Sequence, residues 1–459
     1  MNHYCQSLKV YLFGCGFSLL FFSSICLFDN FASAADFQEV IFTKTNPNAN
    51  LTCKGSHGKR KNVSPPNLQI SEYEVPNFEI NRPIAKIEDT SNIQIPWTGV
   101  ENRGTFRFAI WGDSHFASRV FVDQLVDGLG KRAQDVSVQF VPPTGNRPGV
   151  KLFLKSMCRS KSWDYRPAYL GGDAAEFPAP GLVDLHSKKK WADVGWDLRD
   201  ENGKSKYKHL SVLVRSISKK SRVVVFVDGY RVGVVTLRKT DDLSGIYLSG
   251  DGAMATLRLE LLSGEIAVQG LKLPGRSSNG VELDLFAWPG ATVKGWANMD
   301  VDYFKRWFKD AKQYDLVILG YGTNEGNDLP FNELKYSKSL TDSLRKFRAV
   351  FPDVPCVLIG PGDRGLKFKK SEIKRVDESD VRKFTVIHAS INRIQLEIAR
   401  TFSCHQWSMM GPMIDTGGAY GWYRLESPLM ARDLLHFSKS GYIELAKKFM
   451  RDVKWPVLR

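Results

Sequence analysis

The sequence predicts an α/β fold interrupted by a β-sandwich, and three observations carry that reading. Residues 105–141 read as strand, helix, strand. From about 143 to 279, closely spaced strands with Gly-rich turns follow one another without a long helix. From 281 onward, apolar strands and amphipathic helices alternate again to the C-terminus.

The chain of 459 residues opens with "MNHYCQSLK", a weakly basic start, and a nearly unbroken apolar run over 10–28. Ala32-Ser33-Ala34 then supplies an Ala-x-Ala cleavage pattern, so residues 1–34 are read as a secretory signal peptide. The apolar run is almost long enough to span a bilayer, and if left uncleaved it would anchor the chain in the membrane. Ile25 before Cys26 is not the small residue that a lipoprotein signal requires. Residues 35–103, rich in Asn, Pro, Lys and Thr, lack hydrophobic periodicity and read as an extended, basic, partly disordered lead-in.

The formal net charge of +15 favours an anionic partner. Export, to the periplasm or cell envelope, removes nucleic acid from that class and leaves anionic lipid or wall polymer. Beyond the signal stand Cys53, Cys158, Cys356 and Cys404, whose spacings match no zinc pattern. An even number suits disulfides in an oxidising compartment, and three pairings are open.

"TFRFAIW" (105–111) is a strand, "FASRVFVDQLVDGLGKR" (116–132) a helix and "VSVQFV" (136–141) a second strand, which gives a first α/β part over 104–142. The β region, 143–279, follows, with Asp228-Gly229 as a hairpin turn between "SRVVVFV" and "YRVGVVTLR". Residues 280–459 form the second α/β part. Its strands are "VELDLFAW" (281–288), "DLVILGYG" (315–322) and "VPCVLIGP" (354–361), the last two apolar enough to be buried parallel strands. Its helices are "VDYFKRWFKDAKQY", "SKSLTDSLRKFRAVF", "VIHASINRIQLEIARTF" and "FSKSGYIELAKKFMRDV".

Four short motifs sit where these elements meet. In "WGDSHFASR", Ser114 lies where a strand gives way to a helix, so its hydroxyl and its own amide face one point. By itself such a string is also an ordinary helix cap. "FAWPGATVKGW" places Gly290 after a strand, where backbone can approach a ligand or simply turn. "GYGTNEGND" places Asn324 at the carboxyl end of a buried strand, with an amide donor suited to an oxyanion. The neighbouring Glu325 reads as a cap or a support for that loop. "ARDLLHFSKSGY" carries Asp433 and His436 three apart, close enough for the carboxylate to fix the imidazole tautomer. Trp191, Trp196, Trp407 and Trp422 are candidates for stacking on sugar faces, and Lys188, Lys189 and Lys190 for contact with anionic polymer.

The order Ser, Gly, Asn, Asp-x-x-His resembles that of the SGNH (GDSL-type) hydrolases, over residues 105–142 and 281–442. The resemblance implies a three-layer, flavodoxin-like α/β domain. It implies Ser114 as nucleophile, His436 as general base and Asp433 as the group that orients it. The amides of Ser114 and Gly290 with the Asn324 side chain would form the oxyanion hole, with no metal or organic cofactor. The inserted β region, with "YGTNE", "WPGA", "SMMGPM" and "DLLHFSKSGY", is similar to the bacterial peptidoglycan O-acetyl esterases. That likeness implies a carbohydrate-binding-module-like insert and removal of acetyl from the C6 hydroxyl of N-acetylmuramic acid. Two other readings remain open. One is an O-acetyltransferase, or an esterase acting on another exported polysaccharide. The other is a non-catalytic wall-binding protein.

Overall fold

Thr105–Gly112 is the central strand of a six-stranded sheet in which every pairing is parallel. In this computed structural model the described residues are 36–54, 73–76, 93, 95, 97, 104–132, 135–275, 280–309 and 314–458. The signal peptide read over 1–34 and much of the lead-in lie outside them. Across the sheet the strands run His405–Ser408, Cys356–Gly360, Leu316–Gly320, Thr105–Gly112, Gly280–Ala287 and Val136–Ser137. With the two-residue edge strand set aside, the order is that of the flavodoxin-like doubly wound sheet.

Alternation along the central strand makes the layers. Phe106, Phe108 and Ile110 join one buried cluster with Phe121 and Leu125 of the helix Val120–Gly128 and Leu445 and Phe449 of the helix Lys439–Asp452. Ala109 and Trp111 join a second cluster with Phe304, Leu344 and Ile391 of the helices Val301–Phe308, Glu333–Val350 and Glu378–Thr401. Side chains two apart point to one face, so the apolar run Phe108–Trp111 serves both layers.

The stretch 136–141, read as one strand, is two. Val136–Ser137 ends the parallel sheet, whereas Phe140–Val141 pairs with Ile266–Lys272. The buried Asp284 carboxylate holds the crossing by accepting from the Gln139 and Phe140 amides at 2.9 and 2.8 Å. From there the chain forms two further sheets. One is seven-stranded and the other five-stranded, with Tyr230–Arg238, Lys220–Val227, Thr256–Ser263, Asp193–Asp197 and Ser156–Arg159. Val212, Val214, Ile246 and Leu248 of the first share an apolar cluster with Val223, Val225, Leu257 and Leu259 of the second. Asp228 and Gly229 both take positive φ, 52° and 83°, as a tight hairpin turn requires.

The reading of 35–103 as a partly disordered lead-in changes where residues are described. Asp36–Phe42 is a strand of the seven-stranded sheet, parallel to Ser244–Gly250, with Val40 and Phe42 buried. The disulfide Cys53–Cys158 ties this stretch to an edge strand of the other sheet, and Trp97 packs edge-on against Phe106 and Trp455. The second disulfide, Cys356–Cys404, joins two neighbouring strands of the parallel sheet at their amino ends. No helix among the described residues is long and apolar enough to cross a membrane.

Candidate active site

The site lies beyond the carboxyl ends of the first and third long strands, where the winding of the sheet reverses. Gly112 and Gly320 face each other there, and the Phe116 ring lies over both. A Cβ on Gly320 would meet that ring at 2.0 Å and one on Gly112 at 2.7 Å, so glycine is required at both positions. The Asp113 amide donates to Gly320 O at 3.1 Å and locks the turn that presents the next residue.

That residue is Ser114, the first of a four-residue helix. Asp113 caps it by accepting from the His115 amide at 2.9 Å. Burial pushes the Asp113 carboxyl up to about 6, against the opposing hydrogen bond from His115 and the charge of His436. Ser114 Oγ lies 2.9 Å from His436 Nε2, and His436 Nδ1 lies 2.7 Å from Asp433 Oδ2. Asp433 Oδ1 also accepts from the Leu435 and His436 amides at 3.0 and 2.9 Å. Burial alone would raise the Asp433 carboxyl, but these hydrogen bonds outweigh it and hold the group down at about 2. The Asp433 contact in turn raises the His436 imidazole above its ordinary value, outweighing the partial burial that would lower it.

Asp433 and His436 sit in a turn that precedes the helix Lys439–Asp452. Leu434 between them is buried with φ 56°. A bulky residue in the left-handed region costs about 1 kcal/mol or more, and here that conformation belongs to the turn that brings carboxylate and ring together. His115, 5.4 Å from the His436 ring, is a different kind of histidine. Burial, with His436 nearby, lowers it to about 3, and its Nδ1 meets Tyr442 Oη at 3.1 Å. It stays neutral and packs against the His436 ring.

Gly290 and Asn324 come from two loops that are tied together. Asn324 Nδ2 donates to Ala291 O at 2.9 Å. Glu325, buried beneath, accepts from the Val293 amide at 2.7 Å and from the Gly322 amide at 3.0 Å. Burial drives this carboxyl up to about 7 in spite of both hydrogen bonds. Gly290 has φ 89°, a conformation that favours glycine, and among the described residues its amide meets no acceptor. Ser114, Gly290, Asn324, Asp433 and His436 therefore all lie at this end of the sheet. The supporting parts of Asp113, Thr323 and Leu434 were not read from the sequence. The Thr323 hydroxyl, on a loop far away in sequence, helps to hold the Asp113 carboxyl down.

The four tryptophans divide. Trp196, Trp407 and Trp422 are buried, so their apolar rings serve the core and not a sugar. Trp191 is 47% exposed, with Lys54 and Lys190 ammonium groups 5.4 and 4.9 Å from its ring centroid.

No family model and no curated protein matches the sequence. Among solved structures, a peptidoglycan O-acetylesterase superposes with a TM-score of 0.54 over 78% of this chain and 93% of that one, at 19% identity. The chain shares the fold of that esterase. Two looser likenesses are also found. A family two carbohydrate esterase from Cellvibrio japonicus has a TM-score of 0.25, 11% identity, and coverage of 65% of this chain and 98% of that one. A GDSL-like lipase from Parabacteroides merdae has a TM-score of 0.27, 14% identity, and coverage of 38% and 74%.

Proposed function

We propose that this chain is an exported serine esterase that removes O-acetyl groups from peptidoglycan, at the C6 hydroxyl of N-acetylmuramic acid. The observation that carries the reading is the unbroken chain Asp433–His436–Ser114 at the carboxyl end of the central strand. In the first half-reaction, His436 Nε2 takes the Ser114 proton as Oγ attacks the acetyl carbonyl carbon. Negative charge then gathers on the carbonyl oxygen. The Ser114 amide, the Gly290 amide and the Asn324 amide hydrogen not held by Ala291 receive it. The C–O bond to the sugar breaks, and His436 returns its proton to the leaving sugar oxygen. Water repeats the sequence on the acetyl-enzyme and releases acetate. Asp433 stays ionised throughout and stabilises the imidazolium.

The seven-stranded and five-stranded sheets would form a β-sandwich insert that reads the glycan, since acetyl itself offers little to grip. Two disulfides agree with an oxidising cell-envelope compartment. The test is incubation of the purified chain with O-acetylated peptidoglycan and chromatographic assay of free acetate. Acetate release by the native chain, abolished in Ser114→Ala, is expected. Acetyl passing to an added sugar without net acetate release would instead favour a transferase. No turnover of any acetyl ester would leave a wall-binding protein.

A further inference from the structure

We propose that the β region builds a subsite for an anionic sugar polymer against the loop that carries Gly290, with Arg147 as its carboxylate-binding group. The proposal rests on the esterase reading above and names what that site recognises. Trp288 stands two residues before Gly290 and is 5% exposed, its amide fixed to Gly112 O at 2.9 Å. The Tyr165 ring packs on it, with centroids 4.6 Å apart. The Arg147 guanidinium lies 4.8 Å from the Trp288 ring centroid and 5.9 Å from that of Tyr165. On this same wall, Arg159 stands 4.8 Å from the Tyr165 centroid. Tyr169 closes the distance to the reacting atoms: its Oη lies 3.9 Å from where a Cβ of Gly290 would stand. Asn298 pins this turn by donating to Tyr169 O at 3.0 Å.

Among the described residues neither Arg147 nor Arg159 pairs with a carboxylate, but Arg159 donates to Trp163 O at 2.7 Å. Arg119, Arg199, Arg215 and Arg258 each pair with a carboxylate. Arg147 is exposed. A guanidinium seated against an indole is partly pre-organised, and its fork of N–H groups matches the two oxygens of a carboxylate. Beside an acetyl ester the ligand is thus a glycan that carries carboxylates, on the sugar ether or on an attached peptide.

The test compares the native chain, Arg147→Ala and Arg147→Lys on four substrates. These are intact O-acetylated peptidoglycan, the same polymer stripped of peptides by an amidase, a soluble neutral cellulose acetate, and a small chromogenic acetyl ester. Arg147→Ala should lower kcat/KM by about tenfold on the anionic polymers, mainly through KM, and leave the neutral polymer and small ester within about twofold. Arg147→Lys should recover only part, since a point charge does not replace the fork. Loss confined to intact polymer assigns the carboxylate to the peptide, loss confined to stripped polymer assigns it to the sugar ether, whose carboxyl the amidase frees, and loss on both shows that the subsite takes either. Equal losses on all four substrates, or none, would overturn the proposal. Co-sedimentation of the same proteins with insoluble peptidoglycan provides a readout independent of turnover. If the native chain cleaves none of the esters, the esterase reading fails, while unequal binding of native and Arg147→Ala protein would still support the subsite and equal binding would reject it.

Discussion

The Glu325 carboxylate accepts the Val293 amide at 2.7 Å and the Gly322 amide at 3.0 Å, so one buried side chain fastens both loops that would hold an oxyanion. Asn324 adds a parallel tie to Ala291 O.

Glu325→Gln should therefore lower kcat on a small acetyl ester by about 10- to 100-fold with little change in KM. One of the two loop amides then faces an NH₂ in place of an oxygen. Stability gives a second readout. The Glu325 carboxyl is raised to about 7 in the folded chain from an ordinary value of 4.5. Its contribution is complete below the lower value and is lost as pH rises through the higher one. Glutamine does not titrate. The Tm advantage of the native chain over the variant should shrink between pH 4.5 and 8, as read by differential scanning fluorimetry. A constant difference would place the carboxyl elsewhere in the titration.

Asn324→Ala should reduce kcat by roughly 10²–10³, the loss typical of one oxyanion donor, with KM nearly unchanged. A change confined to KM, in steady-state kinetics on the same ester, would make Asn324 a ground-state contact.

The pH profile follows from His436. Its hydrogen bond to Asp433 raises the imidazole above 6.5, and only the neutral ring can take the Ser114 proton. The rise in kcat/KM should have its midpoint above that value. In Asp433→Asn the raising contact is weakened, so the midpoint should fall as the rate falls. A profile flat from pH 5 to 8, or a midpoint unmoved in the variant, would deny His436 the part of base.

The long-range ties explain what was legible in the sequence and what was not. Leu316–Gly320 and Cys356–Gly360 announce themselves because strands buried on both faces need only apolar residues. The Asp433–His436 contact is local, three residues, and reads from spacing alone. Val183–Ser187 and Asp193–Asp197 are wholly buried, yet they carry Asp, His, Ser and Gly. Each lies between a preceding strand and one more than 50 residues onward, and that pairing decides their burial more than their own composition. The helix expected over 116–132 breaks at Arg119, which takes φ 68°. A buried guanidinium bound to Asp123 and Leu152 O holds that bend, and Leu152 lies beyond any local window.

The same ties revise how separable the β region is. Trp111 and Trp307, both buried, donate their indole N–H groups to Pro180 O and Pro178 O at 2.9 Å, and the Asp300 amide donates to Ala175 O at 2.7 Å. Replacing 143–279 by a short Gly/Ser linker strips these partners from the α/β part. The excised chain should lose its cooperative thermal transition and aggregate, by near-ultraviolet circular dichroism and size-exclusion chromatography. A soluble product with a sharp melt would show the α/β part to be self-sufficient.

The central claim, that Ser114 is the nucleophile of an esterase, is tested most directly by covalent trapping. The native chain is treated with a fluorophosphonate, residual acetyl-esterase activity is followed, and the adduct is located by peptide mass spectrometry. The account predicts a single adduct on Ser114 that accumulates in step with the loss of activity, and far slower labelling in His436→Ala, where no base takes the proton. Complete inhibition with the adduct on another residue, or full activity with Ser114 modified, would contradict it.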